Sequence, residues 1–219
     1  MRKIISCAII KPELEIIRKN AGEVDIQYLP QNLHRLPHKL KDILQEAIDR
    51  SDQQEEKIIL GFGLCSNAVS GIKAPAQGLF IPRVHDCISF YLGSREKYRQ
   101  LFNKYPGTYY LTRGWMENQK DPLGLMENEY TERVGREFAE EAMRRELKNY
   151  KYISFINTTN ESGKWLKRAK DNAAFFGKEF IEYKKSDRFF KKIVFGPYDE
   201  PDFIYVKPYD RIKQEEFLK

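Results

Sequence analysis

Apolar and polar positions alternate along this chain in two rhythms, short continuous apolar runs and longer stretches with helical spacing. Lys3–Ile10, Val24–Leu29, Lys57–Gly63, Leu79–Val84, Thr108–Thr112, Tyr152–Ile156, Phe180–Tyr183 and Phe203–Val206 are strand-length runs, several closed by Gly or Pro. Between them lie helical patterns. Pro12 opens one that carries Ile16 and Ile17, and Pro37 opens another with Leu40, Ile43, Leu44, Ala47 and Ile48 on one face. Ile88–Tyr105 and Gly163–Phe176 read as further helices, and Asn118–Gly124 as loop. Met126, Tyr130, Val134, Phe138, Ala142 and Leu147 predict one long helix over about 125–148.

Strands alternating with amphipathic helices define an α/β fold: mostly parallel sheet with helices on both faces, Rossmann- or flavodoxin-like, joined by right-handed crossovers. The long central helix suggests two α/β halves within a single unit, 1–115 and 116–219. At 219 residues the chain is long enough to bury a substantial core. No apolar run reaches the ~20 residues that cross a bilayer. The opening MRKIISCAII is broken at Ser6 and followed by Lys11, unlike a secretory leader, so a cytoplasmic protein is expected. The charge of +6 is a small excess of 38 basic over 32 acidic residues, interspersed, which describes a solvated surface better than a nucleic-acid-binding face.

The three cysteines carry the most chemical information. Cys7, Cys65 and Cys87 each fall at or just beyond the carboxyl end of a predicted strand, the first, third and fourth. Open α/β sheets bind ligands at that edge. In a 2-1-3-4-5 strand order these three strands are neighbours, and the outer two lie roughly 10 Å apart. The spacing matches neither a zinc ribbon nor a ferredoxin run, and three dispersed thiolates describe a site with an open fourth position. A single zinc needs sulfurs about 4 Å apart, whereas an iron–sulfur cluster accepts wider spacing. His85, two residues before Cys87, is a fourth zinc ligand or an acid/base beside a cluster. The competing reading treats the cysteines as small buried apolar side chains.

Other residues at strand ends extend the candidate site. Gly61-Phe62-Gly63 begins like a dinucleotide-binding fingerprint, but Ser66 stands where the third glycine belongs, and tight-turn glycines explain the pair as well. Gly61, Gly63, Ser66 and Asn67 together describe a backbone cradle for a phosphate or other small anion. Arg113, Trp115 and Glu117 follow the fifth strand, where a 2-1-3-4-5 order puts them on the cysteine edge. A cation, a flat apolar surface and a carboxylate suit a small polar substrate, with Arg113, Glu117 and His85 as its catalytic groups. A structural ion pair beside a packed Trp is the alternative. Asn157, Thr158 and Thr159 are polar groups on the corresponding edge of the second half, with capping of the next helix as the competing reading, and His34 and His38 flank Pro37 at a helix start.

GLCSNAVSGI, IPRVHDCISFYLGSREKY and YPGTYYLTRGWMEN, together with the GPYDEPDFIYVKP tail, resemble a family of bacteria and methanogenic archaea, domain of unknown function family 1638. The region 118–149 resembles it only loosely. The resemblance implies a shared cysteine site, with Cys7, Cys65, His85 and Cys87 at the family's cysteine and His-x-Cys positions. It further implies an association with corrinoid-dependent methyl transfer, hence a corrinoid or methyltransferase partner and a role in methyl or sulfur transfer. The expected protein thus binds an iron–sulfur cluster, or zinc, through three cysteines and takes a small-molecule substrate. The alternatives are a non-catalytic anion- or nucleotide-binding module and an accessory protein of a corrinoid methyltransferase.

Overall fold

The computed structural model describes residues 2–30, 33, 36–51, 57–65, 67–157 and 163–218. Backbone contacts group the chain into two compact units, Met1–Arg95 with Asp187–Lys219, and Glu96–Ser186. This division starts some twenty residues before the 115/116 boundary read from the sequence and returns the last segment to the first unit.

The first unit is built on β1 (Arg2–Cys7), β2 (Val24–Leu29), β3 (Lys57–Gly61), β4 (Leu79–Pro82) and, from the end of the chain, β8 (Phe203–Val206). Their order in the sheet is β2-β1-β3-β4-β8, parallel throughout except for β8, which pairs antiparallel with β4. The expected 2-1-3-4 arrangement is present. The fifth place belongs to the carboxyl-terminal strand instead of Thr108–Leu111, which joins a separate sheet. Helices α1 (Lys11–Arg18) and α2 (Pro37–Ser51) lie in the crossovers, α3 (Ile88–Leu92) follows β4, and α10 (Arg188–Phe195) precedes β8. The chain moves from β1 outward to β2, then back past β1 to β3. Right-handed crossovers therefore place α1 and α2 on opposite faces and make the β1/β3 boundary a topological switch point.

The apolar runs have the burial of a sheet covered on both faces. Ile4, Ile5, Ile58, Ile59 and Leu60 are all fully buried. Phe189 and Phe190 of α10 pack their rings against Phe90 and Tyr91 of α3, at 5.0–6.4 Å between centroids. Asp202, just before β8, accepts hydrogen bonds from Arg188 and from Lys192, the latter at 2.8 Å. These contacts fasten α10 to the sheet, an element the sequence reading left unassigned. Among the described residues no helix is long and apolar enough to cross a membrane.

The second unit holds α4 (from Arg95 to Lys104), β5 (Thr108–Leu111), α5 (Arg113–Glu117), α6 (Pro122–Leu125), α7 (Thr131–Val134), α8 (Arg136–Glu146), β6 (Tyr152–Asn157), α9 (Gly163–Phe175) and β7 (Glu179–Lys184). Its three strands are parallel, in the order β5-β6-β7. Ala169 and Ala173 of α9 pack with Leu111, Met116, Ile153 and Phe155, while Trp165, Leu166 and Phe180 border this cluster.

The single helix predicted over 125–148 is broken twice. Met126–Tyr130 is a π-turn, and Gly135 sits at φ 77°, a left-handed value that favours glycine. Both breaks shift the helical phase. The buried positions become Ala139, Met143 and Leu147, four residues apart, whereas Val134 and Phe138 of the predicted stripe are half or more exposed. The helix predicted over 88–105 is likewise two helices. It turns at Gly93, whose φ of 84° closes α3 in the left-handed cap that glycine favours.

Candidate functional site

Three loops at the carboxyl edge of the first sheet carry the cysteines. Cys7 ends β1, Cys65 lies four residues beyond β3, and Cys87 immediately precedes α3. Two glycines determine how closely these loops approach. A Cβ at Gly61 would stand 2.4 Å from Ser6 Oγ and 2.7 Å from Ser6 Cβ, so only glycine lets β3 lie this close to β1 beside Cys7. A Cβ at Gly63 would stand 2.8 Å from the Val84 carbonyl and 3.0 Å from the Asp86 nitrogen. Across that contact the ladder continues past the strands, with Leu64 N–H donating to Val84 O and Cys65 N–H to His85 O, both at 2.9 Å.

Gly61 and Gly63 therefore hold the cysteine-bearing loops together. The space above them is filled by the chain's own atoms, which argues against their use as a phosphate cradle. Asn67 is exposed at φ 66°, and Ser66 lies outside the described residues. Cys65 itself has φ 47°. A non-glycine residue in the left-handed region costs on the order of 1–3 kcal/mol and is concentrated at functional positions.

The three thiols are close enough to sense one another. Burial pushes Cys7 up to about 11, partly offset by the Ile9 N–H. Cys65 is pushed up to about 12 by burial and then by Cys7. Cys87 stands well above the ordinary thiol value through burial, Asp86, Cys65 and Cys7. All three are free cysteines, Cys7 buried and the other two partly accessible. Without a bound cation they are therefore protonated at neutral pH. Among the described residues no group of three or more His, Cys, Asp and Glu side chains is gathered closely enough to ligate one metal ion.

His85 does not complete a compact Cys3His set. Its ring is 66% exposed, with Nδ1 3.3 Å from Asp86 Oδ2, and this contact raises its proton affinity. The Asp86 carboxylate also accepts from the Ile88 N–H at 3.0 Å, fixing the start of α3 next to Cys87. The most direct contribution of His85 is its backbone carbonyl, which holds Cys65.

Arg113 and Glu117 lie in the second unit, on α5, because β5 belongs to the three-stranded sheet. The expectation that they share a sheet edge with the cysteines is corrected on that ground. They pair with each other at 2.5 Å across one helical turn, the structural ion pair weighed above. Trp115 follows on the same helix. Asn157 Nδ2 donates to Glu182 Oε1 at 2.9 Å, while Thr158, Thr159 and His34 lie outside the described residues. His38 is exposed in the first turn of α2.

The sequence reading missed Glu13, which is 1% exposed in α1 just beyond Cys7. The Tyr91 hydroxyl lies 3.0 Å from its Oε2 and 3.1 Å from the Ile9 carbonyl, tying α1 to α3 behind the cysteine edge. Its signal was present in Pro12-Glu13-Leu14-Glu15-Ile16-Ile17, where the acid falls on the buried side with Leu14 and Ile17.

A mostly parallel α/β sheet with cysteines at or beyond the carboxyl ends of its neighbouring strands β1, β3 and β4 is thus the class of protein that fold and site define. The chain belongs to the family described as Protein of unknown function (DUF1638), whose match covers residues 28–194. Cys65, His85 and Cys87 fall within the matched region, and Cys7 lies before it. No curated protein and no solved structure gives a match.

Proposed function

We propose that this chain binds an iron–sulfur cluster through Cys7, Cys65 and Cys87, leaving one coordination position for a small-molecule substrate. The observation that carries the reading is the placement of three cysteines at or beyond the carboxyl ends of the neighbouring strands β1, β3 and β4, with Cys65 N–H bonded to His85 O across the loops, at the edge where parallel sheets bind ligands. The donor set fits the group. Thiolates are the usual donors to such clusters, and three of them leave one iron open. The wider spacing a cluster accepts suits thiols that are coupled without being gathered into the set a single ion needs. Zinc is the rival occupant and would require the loops to close further. A bound cluster supplies electron transfer or Lewis-acid chemistry at its open iron.

The protein's own groups prepare the edge. The glycines hold the loops in contact, and Asp86 anchors the start of α3. Arg113 and Glu117 have no assigned part in this site. Free thiols persist in a reducing compartment, so the cytoplasm is the proposed location. The family resemblance makes a corrinoid or methyltransferase protein the first partner to test, in methyl or sulfur transfer.

The deciding experiment is anaerobic purification followed by iron, zinc and acid-labile sulfide analysis with a visible spectrum. Iron and sulfide in near-equal amounts, with brown absorbance lost in Cys65→Ser, is the expected result. Zinc without sulfide replaces the cluster with a zinc-thiolate site. A folded, colourless protein that takes up neither iron and sulfide on reconstitution nor zinc overturns the reading.

A further inference from the structure

The three-stranded sheet of the second unit ends on one side in an exposed strand. None of the six residues of β7 is buried, whereas four of the six in its neighbour β6 are. The other strands at sheet edges, β2, β5 and β8, each bury at least one residue. The devices that commonly close such an edge are missing from β7. It contains no proline, and its register with β6 runs unbroken over all six residues. Phe180, Ile181 and Tyr183 remain partly accessible, apolar surface that a further strand covers.

The backbone of β7 faces both ways. The Glu179 N–H donates to the Lys151 carbonyl and the Lys185 N–H to the Asn157 carbonyl, both at 3.1 Å, so the odd-numbered residues turn toward β6. Along a strand, successive residues point their N–H and C=O groups to opposite sides. Phe180, Glu182 and Lys184 therefore turn theirs outward, where among the described residues no strand lies beside β7. Such a row is a template for one more strand.

The side chains decide which strand fits. Charges on an edge ordinarily keep other chains away, and β7 exposes Glu179, Glu182 and Lys184. Their signs differ, however, and that selects a register. Two copies related by a twofold axis pair antiparallel, and residues opposite each other lie on the same face, so the axis passes through a residue position. An axis at Glu182 or at Lys184 sets like charges opposite each other, and one at Ile181 sets Lys178 opposite Lys184. An axis at Phe180 needs Lys178 in the strand, but its N–H turns back to the Ala173 carbonyl at 2.8 Å. An axis at Tyr183 puts Glu182 opposite Lys184 of the second copy, and does so twice. It also sets Ile181 opposite the aliphatic stem of Lys185. Both charges are at hand for this contact. Glu182 accepts from an uncharged amide, Asn157 Nδ2 at 2.9 Å, and among the described residues neither Glu182 nor Lys184 stands in a salt bridge.

We infer that β7 is a dimerisation edge. Two copies of the chain pair their β7 strands antiparallel about Tyr183, joining the three-stranded sheets into one of six strands, with a Glu182–Lys184 contact on either side of the axis. The contact makes no use of the thiols and is independent of the proposed cluster.

Sedimentation equilibrium of the purified chain should show a monomer and dimer in exchange, with a Kd in the micromolar range or below, as a small edge-to-edge interface implies. Glu182→Lys and Lys184→Glu each turn both attractions into repulsions. Each should weaken dimerisation about 10-fold or more without altering the circular dichroism. Mixed in equal amounts, the two variants should associate again with a Kd within about 3-fold of the original. One copy then offers Lys at both positions and the other Glu, so both opposite-charge contacts return. Reassociation also shows that neither variant lost its fold. A chain still monomeric at about 500 μM, a dimer that either substitution leaves unchanged, or two variants that stay apart on mixing would each overturn the inference.

Discussion

The two units place parallel strands under the same rule and finish their carboxyl edges in opposite ways. In the first, Gly61 and Gly63 draw neighbouring loops into backbone contact, burying Phe62, Leu64 and Val84 and leaving Cys65 and Cys87 partly accessible. What remains there is sulfur, held protonated by its surroundings. In the second, α5 and α9 leave a cleft open, and charged side chains of both signs line it. A closely packed thiol-rich edge suits a soft metal or cluster, whereas an open edge lined by charges of both signs suits a polar organic molecule. Topology selects where a ligand goes, and the packing of the loops selects which kind.

The strongest way to break this contrast is to loosen the core behind the thiol edge. Phe190 is fully buried against Phe90 and Tyr91, and Phe190→Ala should cost about 3–5 kcal/mol. Urea denaturation followed by hydrogen exchange of the β1 and β3 amides measures it. A loss below about 1 kcal/mol would mean that α10 does not support the sheet.

The corresponding support in the second unit is polar. Asn172 is fully buried, accepts from the Leu123 N–H at 2.9 Å, and donates to Asp121 and to the Arg168 carbonyl. Asn172→Ala leaves a buried N–H and a carboxylate oxygen short of partners, so a destabilisation of about 2–4 kcal/mol is expected. Thermal melting combined with Trp165 fluorescence reads both the stability and the cleft. A neutral result would show that water replaces the amide freely, and that the second edge is wetter than drawn.

Gly63→Ala sharpens the comparison from the other side. The added methyl meets backbone atoms, which cannot rotate away, at 2.8–3.0 Å. A cost of about 1–3 kcal/mol is expected and, on the proposed cluster, a loss of bound iron larger than the loss of fold. Equal metal content in the variant would separate the glycine contact from the thiol site.

Much of the thiol edge was legible in the sequence, because it depends on strand order and on cysteines placed at strand ends. Cys7, Cys65 and Cys87 follow β1, β3 and β4, and 2-1-3-4 adjacency did the rest. The cleft was not legible. Asp121 reads as part of a loop, and its importance arises from burial by Arg168 and Asn172, about fifty residues away. Arg113 and Glu117 were placed on the wrong sheet because periodicity identifies β5 as a strand without saying which sheet it joins. The same limit hid the breaks at Met126–Tyr130 and Gly135, since the 126–147 stripe fits an unbroken helix until tertiary packing selects Ala139, Met143 and Leu147 for burial.

The smallest expected effect concerns the thiols without metal, and it tests how closely packed their edge is. A thiol ionises ordinarily near 9.0, and here Cys7 and Cys65 hold their protons to about 11 and about 12. The folded chain thus binds these protons more tightly than the unfolded one. The contribution to stability is complete below pH 9, and it declines as pH rises from 9 toward 11–12 while only the unfolded thiols ionise. Reactivity follows the same titration, because the thiolate is the nucleophile. Iodoacetamide labelling of Cys65, quantified by peptide mass spectrometry, should be slow at neutral pH and rise about tenfold per pH unit through pH 9 without levelling off. A plateau at or below pH 9 would show that solvent reaches Cys65 as it reaches an ordinary surface thiol. The contrast between a closely packed edge and an open one would then disappear.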